Sequence, residues 1–224
     1  MGGYYSERLS GERLRLCYEI APPRVKQYLE AEIAFVLDKI EGCELVLELG
    51  CGYGRVLERL TAKTETAVGI DTSYESLRLA SELLCNSSRC HLAMMDAAAL
   101  GFRDGCFDAV VCIQNGISAF RVDQRKLIEE AVHVTRKKGT VLFSSYSERF
   151  WEDRLRWFRM QAERKLVGEI DEDATGNGVI VCKDGFKATT IKPEDFIRLT
   201  SGLPFETIIT EVDDSSIFFE LLIR

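Results

Sequence analysis

The sequence predicts an α/β three-layer sandwich, a mainly parallel sheet with helices on both faces, and three observations carry that prediction. Short β-type runs alternate with helical periodicity along most of the chain. The most continuous apolar run, 107–113, has the composition of a strand covered on both faces. A glycine turn, Gly50-Cys51-Gly52-Tyr53-Gly54, stands between a strand pattern and a helix pattern. The 224 residues suffice for one buried core, so a single domain over 1–224 is expected.

Pro22 and Pro23 suit the start of a helix, and Val25, Leu29, Ile33, Val36 and Ile40 recur at helical spacing before Gly42 interrupts it. A first strand over 45–49 runs into the glycine turn, and Val56, Leu57 and Leu60 mark the apolar side of the next helix. A second strand ends at Ile70; Thr72 or Ser73 then caps a helix carrying Leu77, Leu79, Ala80, Leu83 and Leu84. A third strand covers 91–95, and the strand over 107–113 precedes a helix over 127–134. Lys137, Lys138 and Gly139 read as the end of that helix, with basic residues at its C-terminus and glycine in the left-handed stop, before a strand over 140–144.

Residues 150–168 read as an amphipathic helix with Trp151, Leu155 and Phe158 at i, i+4 and i+7, an aromatic stripe made for packing or for substrate contact. The polar stretch 171–178 leads to a hairpin of 179–182 with 186–190, turning at Asp184-Gly185. Pro193 opens a last helix, and 207–212 and 217–223 are closing strands joined by the turn 213–216. The expected subdivision is an N-terminal helical segment or lid over 1–41, a core over 45–145, a helix-hairpin insertion over 148–191 and closing elements over 193–224.

A formal net charge of −7 opposes loose attachment to nucleic acid or anionic membrane, which needs clustered Lys and Arg; neither partner is expected. No run approaches the ~20 apolar residues that cross a bilayer, and the opening fifteen residues are too polar for a signal-peptide core, so the cytoplasm is the expected compartment. Met1, Gly2 and Ser6 match the myristoylation pattern in form, but Met-Gly-Gly is equally read as a cloning remnant and no polybasic stretch adds a second anchor. The eight cysteines are scattered without a C-x-x-C pair, and only His91 and His133 offer nitrogen ligands, so no metal site is expected. Cys51 and Cys112 read as small turn and core residues.

Glycines in the first turn let the backbone approach a ligand, and the helix N-terminus behind them favours a carboxylate or phosphate; the plainer reading is a tight turn. A dinucleotide fingerprint would need glycine at position 55, where Arg55 stands. The stretch VLELGCGYGRV, 46–56, resembles motif I of class I S-adenosylmethionine-dependent methyltransferases, an acidic residue followed by x-G-x-G-x-G, with Glu48 in the acidic position. Asp71 follows the second strand about twenty residues later, where a carboxylate accepts both ribose hydroxyls. Asp96, in MMDAAALGF, resembles the family position that recognises the adenine amino group, with Ala97 offering backbone contacts. FDAVVCIQNG and VTRKKGTVLFSS resemble the fourth strand and the following helix-to-strand junction. The resemblance spans 45–145 well and the rest weakly.

This resemblance implies a Rossmann-like sandwich with a mainly parallel seven-stranded sheet and an antiparallel edge strand. It implies S-adenosyl-L-methionine as cofactor and S-adenosyl-L-homocysteine as product, held by Glu48, Gly50, Cys51, Gly52, Gly54, Asp71, Thr72, Asp96, Ala97 and Gln114. Transfer is then a direct displacement on an already activated methyl group, no motif supplies a base, and the catalytic residue is unassigned. The acceptor pocket is expected beyond the carboxyl ends of the strands, bordered by 115–120, 146–151 and the N-terminal segment, with Tyr5, Asn115, Tyr146 and Trp151 as candidates beside Gln114. Tyr4, Tyr5, Arg8 and Arg13 read either as a lid over bound cofactor or as a surface-packed terminus.

Absences narrow the acceptor. Gln114-Asn115-Gly116-Ile117 stands where the amino-methylating groups resemble N/D-P-P-Y/F, no proline precedes a cysteine, and that strand end supplies no carboxylate for a catechol-type metal. These departures favour a small-molecule acceptor. A protein or RNA methyltransferase, and a noncatalytic cofactor-binding protein plugged by the aromatics of 150–158, are the alternatives.

Overall fold

The computed structural model describes residues 4–224, so the myristoylation match at Met1 and Gly2 lies outside the described residues. Three helices, α1 (Tyr4–Glu7), α2 (Gly11–Glu19) and α3 (Pro23–Lys39), precede the sheet. Pro23 opens α3 where its missing N–H costs nothing, and Val25, Leu29, Ile33 and Val36 form its buried face. The alternating core follows as β1 (Leu45–Leu49), α4 (Arg55–Thr61), β2 (Thr66–Asp71), α5 (Tyr74–Leu83), β3 (Cys90–Met94) and β4 (Phe107–Cys112). Of the two cap candidates Ser73 closes α5, accepting the Ser76 N–H at 3.2 Å.

Beyond β4 come the short α6 (Gly116–Ala119), α7 (Gln124–Val134) and the long β5 (Thr135–Tyr146). The segment between β5 and the last helix holds a 3₁₀ turn, α8 (Trp151–Glu163) and the hairpin β6 (Ile180–Val181) with β7 (Lys187–Ala188). The chain closes with α9 (Pro193–Thr200), β8 (Phe205–Val212) and β9 (Ser216–Ile223). Asp213 and Asp214 take φ of 55° and 49°, the paired left-handed conformation of a tight hairpin turn. Arg24 and Gln27 of α3 hold the Asp213 carboxylate, each at 2.6 Å.

The main sheet runs β3-β2-β1-β4-β5-β9-β8. Strands β1 to β5 pair in parallel, while β9 is antiparallel to both β5 and the edge strand β8. Every residue of β4 is buried, as its unbroken apolar run requires at the sheet centre. Leu47, Val110 and Phe143 are fully buried there, each side chain contributing about 1.5–3 kcal/mol over its exposed state. Strand order reverses between β1 and β4, which opens a crevice above their carboxyl ends.

Two readings of the sequence need correction. Gly139 does not take a left-handed stop: Lys138 carries the positive φ of 63°, and α7 ends at Val134 directly into extended Thr135. The intervening residues form a bulge, with Phe107 paired to Thr135 but Ala109 to Thr140, so β5 begins earlier than the composition indicates. The helix expected over 150–168 is shorter: α8 ends at Glu163, and Lys165 with φ 56° turns the chain away.

The N-terminal segment is more ordered than periodicity alone indicates. Arg13 donates to the carbonyls of Lys165 and Leu166 at 2.7 and 2.8 Å, Trp157 Nε1 donates to Cys17 O at 2.9 Å, and Gly11 N donates to Ser76 Oγ at 3.0 Å. Helix α2 is thereby strung between α5 and α8, across the crevice. No helix among the described residues is long and apolar enough to cross a membrane.

Candidate active site

Strand β1 delivers the chain into a turn whose glycines carry φ of 72° (Gly50), 53° (Gly52) and 90° (Gly54), a region other residues enter at a cost of about 1–2 kcal/mol. The N–H groups of Gly50 and Cys51 both reach Ile70 O, at 2.8 and 2.9 Å, tying the turn to the end of β2. A Cβ on Gly50 would stand 2.4 Å from Phe120 Cζ, so the absent side chain leaves room for that ring. Gly54 serves packing: a Cβ there would meet Ala80 and Leu84 at 3.1 and 3.0 Å, on the α5 side.

Nine of the ten predicted cofactor residues, Glu48, Gly50, Cys51, Gly52, Asp71, Thr72, Asp96, Ala97 and Gln114, line one cavity of about 210 Å³ above the carboxyl ends of β1, β2 and β4; Gly54 does not. Asp71 accepts the Gly52 N–H at 2.9 Å and the Ser73 N–H at 2.8 Å, so it braces the turn from the cavity wall, and each oxygen keeps capacity for a further donor. Burial pushes its carboxyl up, against the pull of those N–H groups and of Thr72 N–H. Asp96 is exposed and accepts the Ala98 N–H at 2.8 Å, an Asx turn at the cavity edge.

Glu48 is 4% exposed and its Oε2 has no partner. Burial pushes this carboxyl up to about 8, with the Arg55 guanidinium opposing and Asp71 reinforcing the shift. Because the folded value exceeds the ordinary 4.5, the unfolded chain loses this proton first, and stability falls as pH rises between about 4.5 and about 8. Thermal melts across that window are expected to show a declining melting temperature, and Glu48→Gln to flatten the decline; a wild-type slope unchanged in the variant would refute the assignment.

Gln114 and Asn115 hold consecutive left-handed φ values of 55° and 64°, and Gln114 N donates to Glu32 Oε2 at 2.7 Å. Fully buried Glu32 on α3 thus holds the strained end of β4, and burial pushes its carboxyl up to about 7 against the Ser216 and Ser144 hydroxyls and the Gln114 N–H.

On the acceptor side the structure divides the candidates. Tyr5 and Tyr146 line the cavity; Asn115 and Trp151 do not. Asn115 is turned into the protein by its left-handed backbone, donating to Thr189 O at 2.8 Å and accepting from Ser145 Oγ at 2.9 Å, which makes it a strut between β4, β5 and the hairpin segment. Trp151 packs with α1, α8 and the hairpin. The aromatic stripe divides likewise: Leu155 is packing, while Phe158 and its neighbour Trp157 also reach the cavity. Of the lid residues, Tyr4 donates to Asp184 Oδ2 at 2.6 Å, Arg8 pairs with Asp184 at 3.8 Å, and Arg13 binds the end of α8, so these three clamp the segment while Tyr5 faces inward.

Sequence reasoning missed Tyr18, Tyr28 and Arg55 as cavity residues. Arg55 stacks its guanidinium 4.8 Å from the Tyr18 ring, and its Nη2 is buried without a partner. Position 55 excluded a dinucleotide fingerprint, but nothing in the spacing revealed that its side chain turns back over the glycine turn.

Residues 46–139 match the model of a family described as a methyltransferase domain. The match runs from β1 into β5 and takes in the glycine turn, Asp71 and Asp96. Over 160 residues it is 28% identical to 2-methyl-6-phytyl-1,4-hydroquinone methyltransferase of Synechocystis sp. (strain ATCC 27184 / PCC 6803 / Kazusa), covering 63% of this chain and 49% of that one. The chain spans about half the length of the curated relatives it matches. Among solved structures, the PH0226 protein of Pyrococcus horikoshii OT3 shares the fold with a TM-score of 0.67 and 18% identity over 100% of both chains. The N-methyltransferase NodS of Bradyrhizobium japonicum WM9, in complex with S-adenosyl-l-homocysteine, has a TM-score of 0.59 and 16% identity, covering 94% of this chain and 96% of its own.

The cavity fits the family cofactor on its own terms. Glu48 Oε2 and Arg55 Nη2, both buried without a partner among the described residues, stand with the Asp71 carboxylate around one ligand-sized opening.

Proposed function

We propose that this chain is a methyltransferase that uses S-adenosyl-L-methionine and hands its methyl group to a small-molecule acceptor, with a cytoplasmic location as part of the same proposal. The observation that carries it is one cavity lined on one side by Glu48, the glycine turn, Asp71 and Asp96, and on the other by Tyr5, Tyr28, Tyr146, Trp157 and Phe158. When bound, the cofactor supplies a methyl group on a positive sulfonium, already activated toward a nucleophile. Asp71 would accept the ribose hydroxyls, the unpartnered Glu48 Oε2 would meet a polar group of the cofactor, and Ala97 and Asp96 would bracket the base at the cavity edge. The roof of α2 and the aromatic wall exclude water and align the acceptor.

Among the described residues, the side chains of the aromatic wall, Tyr5, Tyr28, Tyr146, Trp157 and Phe158, include no carboxylate or imidazole. Burial pushes the phenols of Tyr5, Tyr18, Tyr28 and Tyr146 up, so they stay protonated and act as donors and walls. With the cofactor bound, its methyl group would pass to the acceptor as the carbon–sulfur bond breaks, and no described residue is assigned to take the acceptor's proton. A roofed, aromatic-walled cavity suits an enclosed small molecule better than a polypeptide or RNA, which needs an open cleft.

Calorimetric titration with S-adenosylmethionine, S-adenosylhomocysteine and NAD tests the reading: saturable binding of the adenosyl pair without NAD supports it, and NAD alone or no binding by folded protein sinks it. The clamped N-terminal segment is expected to close the cavity as a lid. Limited proteolysis should therefore slow about tenfold at this segment when S-adenosylhomocysteine is added, and unchanged cleavage would remove the lid from the proposal.

A further inference from the structure

Arg154 of α8 is 1% exposed, a burial that a guanidinium tolerates only when its charge and its donors are met. One donor is met: Nη1 reaches Gly178 O at 3.0 Å. Nε and Nη2 have no partner among the described residues. Nε–H and the adjacent N–H of Nη2 point the same way and together form the side-on edge of the guanidinium, the edge that grips both oxygens of a carboxylate. Gly178 O occupies the other side, so one complete bidentate face is free.

The surroundings supply no counter-charge among the described residues. The guanidinium carbon lies 4.3 Å from the Tyr146 ring, 5.8 Å from Phe158 and 6.0 Å from Trp151, all aromatic faces. Burial pulls the guanidinium down, and the groups that oppose this are the phenols of Tyr146, Tyr5 and Tyr28. Tyr5, Tyr146 and Phe158 are themselves walls of the cavity, on the side opposite the glycine turn. Arg154 does not itself line the cavity: its guanidinium rests against two of the walls, Tyr146 and Phe158, so an acceptor reaches the free edge only by displacing a wall residue such as Tyr5 on the four-residue α1.

We propose that Arg154 is a specificity-determining residue that receives a carboxylate of the methyl acceptor on its free Nε/Nη2 edge, making the acceptor class a small, flat organic acid. This rests on the methyltransferase reading above. The aromatic faces of Tyr146 and Phe158 sort for a flat apolar body, and the guanidinium edge sorts for its anionic end.

The test uses the full chain saturated with S-adenosylhomocysteine, titrated calorimetrically with benzoate and phenylacetate against benzamide and phenylacetamide. The acids are expected to bind about tenfold or more tightly than their amides, and Arg154→Met to erase that preference while S-adenosylhomocysteine affinity stays within about twofold. Arg154→Lys, which keeps a charge but not the side-on edge, should lose most of the preference and serves if the Met variant does not fold. The inference is overturned if no acid binds, if amides bind as well, or if Arg154→Met keeps the preference. It is also overturned if S-adenosylhomocysteine affinity falls with Arg154→Met, because Arg154 then serves the cofactor. Failure of S-adenosylhomocysteine to bind wild-type protein sinks the methyltransferase reading itself; its binding without acid preference sinks this inference alone.

Discussion

Asp71→Ala is expected to weaken S-adenosylhomocysteine binding by about 100-fold or more, read by calorimetric titration against the wild-type chain. Two ribose hydroxyls donating to one carboxylate are charge-assisted hydrogen bonds of about 1.5–3 kcal/mol each, so losing both removes at least about 3 kcal/mol. The same substitution strips the acceptor from Gly52 N–H and Ser73 N–H, which loosens the glycine turn as well. Asp71→Asn separates the two effects. It keeps one acceptor oxygen to brace the turn but removes the charge, and about a tenfold loss is expected. If both variants bind as wild type while remaining folded, Asp71 is only a brace between β2 and the turn, and the ribose assignment fails.

The half of the site that surrounds Asp71 was legible because it is contiguous in the chain. Each parallel strand ends at the crevice, so a residue just past β1, β2, the strand over 90–94 or β4 reaches it whatever the distant packing. Position at a strand end does not say which way a side chain points, however. Asn115 follows Gln114 into left-handed backbone and turns into the protein, a conformation no residue type at that position announces. The other half of the site comes from α2, α3 and α8, remote in sequence. Helix α2 has its apolar residues interrupted by arginines and glutamates, and docking between α5 and α8 is what orders it.

One signal for that remote half was present. Glu32 stands between Leu29 and Ile33 on the buried face of α3, and Arg154 lies between Trp151 and Phe158 on the stripe of α8. A charge on a core-facing helical stripe has to be met by a partner or a ligand, because leaving it unmet costs several kcal/mol (about 3–5 when one member of a buried pair is removed). Glu32 meets the Gln114 N–H with Oε2 and supports the strained end of β4, leaving Oε1 unpartnered, whereas Arg154 leaves a whole two-donor edge unpartnered among the described residues. The same pattern thus yields a strut in one helix and a candidate recognition group in the other, and only the three-dimensional neighbours tell them apart.

Gly139→Ala is expected to lower stability by about 3 kcal/mol, measured as a shift of the urea midpoint at constant slope. Its φ is not positive, so the penalty is one of space: a Cβ would stand 2.6 Å from Asp108 O, 2.7 Å from Thr135 Cγ2 and 2.9 Å from Arg136 O. Two of those atoms are backbone in a β4–β5 bulge and cannot swing aside. Moving them also disturbs the Asp108 carboxylate, which accepts the N–H groups of Glu44 and Leu45 at 2.6 and 2.9 Å where β1 begins. Lys138→Gly should act in the opposite sense, gaining up to about 1 kcal/mol, because the left-handed φ of 63° belongs to Lys138 and glycine adopts it without a Cβ penalty. Had glycine been the left-handed stop that the sequence suggests, Lys138→Gly would cost stability and Gly139→Ala only about 1 kcal/mol. The order of the two midpoints therefore decides whether this junction is a helix stop or a bulge that closes the central strands beneath the site.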